Sequence, residues 1–125
     1  MQFTDEGYRL IRCAIGDGAV PLKAMLDEIG KHHAHINAVL EPGALDARHI
    51  RFLNPQWWQG YRPMDAKAFA ATLAAARINR LGDDADVRTP WERNADHELV
   101  DYELKMIRRS AANMRALGIM TERTA

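Results

Sequence analysis

The chain has one cysteine, one serine and no long apolar run in its 125 residues. With Cys13 alone, an internal disulfide and a cysteine-based zinc cluster are both excluded, and a reducing compartment is the natural setting. Ser110, the single serine, falls inside a helical pattern and lacks the flanking glycines of a nucleophile elbow. No stretch approaches the roughly 18 apolar residues of a membrane span. The start, Met1-Gln2-Phe3-Thr4-Asp5-Glu6, lacks the basic and apolar regions of a secretory signal. These absences lead us to expect a cytoplasmic protein without a membrane segment.

Net charge is missing too. Seventeen bases balance seventeen acids, so no global field draws the chain to nucleic acid or to anionic lipid. Gly16-Asp17-Gly18 is not followed by the Gly-Lys-Ser/Thr of a phosphate loop. No two carboxylates stand out as an acid–base couple.

What is present reads as a folded domain. Hydrophobic residues make up 47% and charged residues 27%, values ordinary for globular proteins. Thr4, Asp5 and Glu6 suit the start of a first helix, continued by Tyr8, Ile11 and Ile15 at helical spacing and stopped at Gly16-Asp17-Gly18. A second helix opens at Pro21. Its stripe is Leu22, Met25, Leu26, Ile29, His33, Ile36 and Leu40, it is weakened at Gly30, and it closes at Pro42-Gly43. Residues 44–53 are compatible with a short helix or, around Ile50-Arg51-Phe52, with extended chain. Residues 54–63 read as a loop punctuated by Pro and Gly.

Asp65 caps an alanine-rich helix that runs to Leu81, with Gly82 as its stop. Phe69, Leu73 and Ala76 share one side, and Ala68, Ala71, Ala75 and Ile78 much of the other, which predicts a central helix. After the acidic stretch Asp83-Asp84-Ala85-Asp86, Thr89-Pro90-Trp91-Glu92 is the sharpest local signal: N-cap, Pro at the first position, and a reciprocal capping carboxylate. The helix it opens extends to Leu117 before Gly118. Its 28 residues would span about 42 Å, with Val100, Leu104, Ile107, Ala111 and Met114 as its stripe. The fold expected is all-α: a compact bundle of four to five helices, with the Ala-rich helix at the centre and a long C-terminal helix, forming one helical domain over residues 1–125.

Three features bear on function. The loop residues Trp57, Trp58, Tyr61 and Arg62 are of the types that dominate binding hot spots and stack on unpaired bases; the plainer alternative has one Trp plugging the core and the other lidding the loop. Residues 83–104 carry eight acids against two bases, and residues 105–125 five bases against one acid. That order complements a helix dipole. It also allows a basic patch of Arg77, Arg80, Arg108 and Arg109, with Arg48 and Arg51, that grips phosphate or an acidic partner. Finally, Glu28, His32 and His35 share a helix flank at spacings of three, four and seven. With His97, or with Asp101, from the last helix they form a candidate zinc or iron set; the plainer alternative leaves them solvated.

The expectation is a non-enzymatic interaction module that needs no cofactor, binding a protein or nucleic-acid partner through the aromatic loop and the basic patch, in the style of a bacterial or phage accessory protein. A metal-binding helical bundle and a subunit that self-assembles into a homodimer through its C-terminal helix are the alternatives.

Overall fold

A computed structural model describes residues 1–33, 39–41, 43, 45–82 and 85–120. It overturns the all-α expectation. Strands β1 (Gln2–Thr4) and β2 (Gly7–Leu10) are followed by helix α1 (Leu22–Gly30), strand β3 (Arg48–Ile50), and helices α2 (Ala66–Ile78) and α3 (Leu99–Ala116). Among the described residues, three α-helices and an antiparallel sheet of order β1-β2-β3 stand in place of the four-to-five-helix bundle. No described helix is long and apolar enough to cross a membrane.

The expected first helix is a β-hairpin. Phe3 pairs with Tyr8 and Thr4 with Gly7, leaving Asp5-Glu6 as a two-residue turn. The helical spacing of Tyr8, Ile11 and Ile15 is coincidental, because Tyr8 belongs to a strand and the other two to the segment after it. The operative period is two: Tyr8 and Leu10 alternate with Arg9. Gly7 is essential to the pairing. A Cβ there would stand 2.1 Å from the Ile50 carbonyl oxygen, so β3 reaches β2 because this position has no side chain.

Cross-strand partners share a face of a sheet. The row Phe3–Tyr8–Ile50 forms one face, and the row Gln2–Arg9–His49 the other. On the first face the rings of Phe3, Tyr8, Phe52 and Phe69 follow one another at centroid separations of 6.1, 5.7 and 5.4 Å, which brings α2 against the sheet.

On the second face Arg9 meets the Thr89–Glu92 cap. Thr89 Oγ1 accepts from the Glu92 N–H at 3.2 Å, and Glu92 Oε2 accepts from the Thr89 N–H at 3.0 Å, the reciprocal pair foreseen in the sequence. Glu92 Oε1 then accepts from the Ala47 N–H at 3.3 Å and forms an ion pair with Arg9 Nη2. Thr89 and Pro90 are buried beneath it. Burial pushes the Glu92 carboxyl up, but the N–H groups of Thr89 and Ala47 and the Arg9 guanidinium outweigh that and hold it below its ordinary value. Arg9 Nε is the buried side-chain polar atom left without a partner among the described residues.

The C-terminal helix is shorter than the sequence predicts. The cap opens only a single 3-10 turn, Trp91–Arg93. Asn94 then adopts a left-handed conformation (φ 56°), and a second turn, Asp96–Glu98, precedes α3. The 18 residues of α3 span about 27 Å. Its end is as expected: Gly118 and Ile119 donate to Arg115 and Met114 carbonyls, both at 2.9 Å, closing the last turn. One side of α3 clamps the segment after β2. Ser110 Oγ accepts from the Ile15 N–H at 3.0 Å, and Asn113 Nδ2 donates to the Ile15 carbonyl at 2.8 Å.

The alanine-rich helix is peripheral, not central. Asp65 caps it as expected, accepting from the Lys67 and Ala68 N–H groups. Phe69, Leu73 and Ala76 face inward, and Ala76 is buried. Ala68, Ala71, Ala75 and Ile78 are exposed. The alanine run expresses helix propensity rather than burial on all sides. Helix α1 ends at Gly30 and has no buried residue.

Two outcomes test this framework. Gly7→Ala is expected to destabilise the protein by about 1–3 kcal/mol, whereas Gly30→Ala, where an added Cβ meets nothing within 4 Å, is expected to stabilise it by about 0.5–1 kcal/mol; chemical denaturation of both variants reads the contrast. Glu92→Gln is expected to cost about 2–3 kcal/mol at neutral pH, less than a fully buried pair because both partners keep some solvent contact. Since the folded Glu92 carboxyl lies below its unfolded value near 4.5, its contribution is complete above that pH and fades as pH falls further. The gap between the wild-type and Glu92→Gln melting temperatures therefore narrows below about pH 4.5.

Candidate interaction surface

The sheet's aromatic row continues to the surface. Asn54 caps the 3-10 turn Pro55–Trp58, its side chain accepting from the Gln56 N–H at 3.0 Å. The two tryptophans on this turn are both half-buried and meet Tyr61. Trp58 is anchored: its indole N–H donates to the Phe52 carbonyl at 2.8 Å, and its ring meets Phe69 edge-on at 5.9 Å. Trp57 lies outside this anchor and stacks on Tyr61, with centroids 6.1 Å apart and planes 23° apart. Tyr61 also touches Trp58, at 5.8 Å. Tyr61 is exposed, as are Arg62, Leu53 and Met64 around it. The result is an aromatic platform anchored through Trp58, in which Trp57 is half-buried and Tyr61 is exposed. Its sequence signal is Asn54-Pro55, an N-cap followed by Pro at the first helical position.

Several arginines sit in ion pairs within the chain. Arg109 lies on α3 and holds Asp17 through Nε and Nη2 at 3.0–3.2 Å, with Asn113 Nδ2 adding a bond at 2.8 Å. The hydrogen bonds from Arg109 and Asn113 keep the Asp17 carboxyl below its ordinary value. Arg51 pairs with Glu6 at 3.2 Å, Arg88 with Asp86 at 2.9 Å, and Arg93 with Glu98 at 2.8 Å. Arg48, Arg62, Arg77 and Arg108 are exposed. Arg80 lines a groove of about 580 Å³ together with Leu10, Cys13, Asp17, Val20 and Leu81. Arg80 and Asp17 line the same groove, and Asp17 is held by Arg109, while Arg62, Arg77 and Arg108 do not line it. The Asp17 pairing was illegible because 92 residues separate it from Arg109.

Cys13 lines this groove and a smaller one of about 300 Å³ beside Met106 and Ser110. Desolvation and the Asp17 charge raise its thiol pKa, so it stays protonated and weakly nucleophilic at neutral pH.

The histidine set is only partly within view. Glu28 and His32 stand 3.8 Å apart, both exposed. His33 follows the end of α1 and is exposed, and His35 lies outside the described residues. His97 is exposed beside Glu98 at 3.9 Å, and Asp101 is exposed on α3. Among the described residues, no group of three or more His, Cys, Asp and Glu side chains converges on a point that would hold a metal ion.

No protein-family model, curated protein or solved structure matches the chain.

The two tryptophans are expected to separate energetically. Trp58→Ala should cost about 2–4 kcal/mol through the lost packing and the orphaned Phe52 carbonyl. Trp57→Ala should cost less, about 1–2 kcal/mol, because its half-buried ring loses the Tyr61 stack but leaves the Trp58 anchor intact. Urea denaturation of each single variant checks the difference.

Proposed function

We propose that this chain is a non-enzymatic protein-binding module that presents the Trp57–Tyr61 platform to a protein partner. One observation carries the reading: the amount of apolar surface left uncovered. Among the described residues, fourteen large hydrophobic side chains are exposed, against a buried apolar core of Tyr8, Ala14, Ala47 and Ala76. Exposed apolar area that gathers in one place marks an interaction site, and the exposed Tyr61 and Met64 lie on one short segment beside the Trp57 stack.

The platform is the favoured contact because it is preorganised. Trp58 is immobilised by its hydrogen bond and by Phe69, so the stack in front of it loses little freedom on binding. Leu53 and Met64 extend it with further exposed apolar area. A protein is favoured over a nucleic acid on two grounds. Trp57 and Tyr61 already cover part of each other's faces, which reduces their use for base stacking. Arg9, Arg51, Arg88, Arg93 and Arg109 sit in internal ion pairs, which weakens any phosphate-gripping field.

Affinity capture with a purified Trp57→Ala/Tyr61→Ala variant beside the wild type tests this. The expected outcome is a protein bound stoichiometrically by the wild type and lost from the variant, with the circular dichroism of the two unchanged. Equal capture by both would overturn the reading. So would a nucleic acid as the retained species, with binding that falls steeply as salt rises.

A further inference from the structure

We propose that α3 pairs with α3 of a second copy, antiparallel, through the stripe Val100, Leu104, Ile107 and Ala111. This surface is distinct from the aromatic platform and does not depend on the reading above.

The inward side of α3 is fixed by Ser110 and Asn113, which bind the Ile15 backbone, and by Arg109, which holds Asp17. At 100° per residue, the stripe lies about a quarter-turn away from Ser110, so a single helix carries one apolar side for its own chain and a second that its own chain does not fully cover. Val100 is 67% exposed and Leu104 40%, while Ile107 and Ala111 are half-buried. The spacing from Val100 to Leu104, Ile107 and Ala111 is four, three and four. That is the alternation of a two-helix seam, in which such residues interlock with those of a facing helix.

The charges choose the occupant and its direction. Asp101 and Arg108 follow Val100 and Ile107 by one residue, so both lie on the outer flank of the stripe, seven residues apart, and both are exposed. When Leu104 of one copy packs against Ile107 of the other in an antiparallel pair, Asp101 of each faces Arg108 of the other. The two-fold axis makes this attraction twice. A parallel pair would instead need Arg108 to reach the second copy's Glu103, which is half-buried on the flank that each helix turns toward its own chain. The acid-first, base-last order of α3 is therefore complementary to itself reversed.

Four layers on one helix bury about 500 Å² per copy, at the small end of specific interfaces. Association in the micromolar range is the matching expectation.

Sedimentation equilibrium of the full chain, from about 1 µM to about 1 mM, tests the proposal. The average mass is expected to rise from 14.1 kDa toward twice that value. Val100→Glu/Leu104→Glu, both at exposed positions and therefore compatible with folding, is expected to hold the monomer mass throughout with unchanged circular dichroism. Asp101→Lys and Arg108→Glu should each weaken association about tenfold, and the two together should restore it. A wild type that stays monomeric over the whole range overturns the proposal. So does a Val100→Glu/Leu104→Glu variant that dimerises normally, or a charge exchange that fails to restore association. The Trp57→Ala/Tyr61→Ala variant is expected to dimerise as the wild type does, so failure of the platform and failure of the α3 pairing are read separately.

Discussion

The Glu92 carboxylate binds three otherwise separate pieces of chain. It accepts from its own capping turn at Thr89, from the Ala47 N–H just before β3, and from the Arg9 guanidinium on β2. The sheet is only three short strands, too few to stand alone without a covered face. Its aromatic face is covered by Phe69 of α2, and its other face by the Thr89–Glu92 turn with Pro90 buried beneath. Remove the charge from this point and Arg9, already carrying an unpartnered buried Nε, is left nearly buried without its counter-ion.

Legibility in the sequence divides by range. Signals that lie within one or two turns of chain were readable: the Thr89–Glu92 reciprocal cap, the Asp65 cap, the Gly118 stop, and the grouping of Phe69, Leu73 and Ala76 on one side of α2. Each depends on residues no more than seven apart. The hairpin was not readable, because strands of three and four residues are too short for alternation to outvote an accidental helical spacing. The break at Asn94 was hidden for a different reason. Nothing local forbids the cap from propagating into a longer helix, and the competing pull comes from Arg9 and Ala47, far away in sequence.

The same division applies to the candidate surface. The aromatic loop could be singled out by residue type, but the anchoring of Trp58 depends on the Phe52 carbonyl and the Phe69 ring. The arginines could be counted, but not assigned. Arg109 is held by Asp17 across the fold, and the ion pairs within the chain leave little of a pooled basic field. The alanine-rich helix shows how propensity and burial part company: alanine favours the helix wherever it lies, so richness in alanine carries no information about depth.

The cap also joins the most local and some of the most distant contacts of the fold. Thr89 and Glu92 are three residues apart and find each other quickly, but Arg9 lies 83 residues and Ala47 45 residues from the carboxylate that joins them. The loops that must close before this junction forms are among the longest the chain permits, and their closure entropy comes before any reward from the contact. A chain with so much helix would ordinarily fold fast through local contacts. The junction, with the Ser110 and Asn113 contacts to Ile15, gives this helix-rich chain a set of long-range contacts that its helices alone do not require.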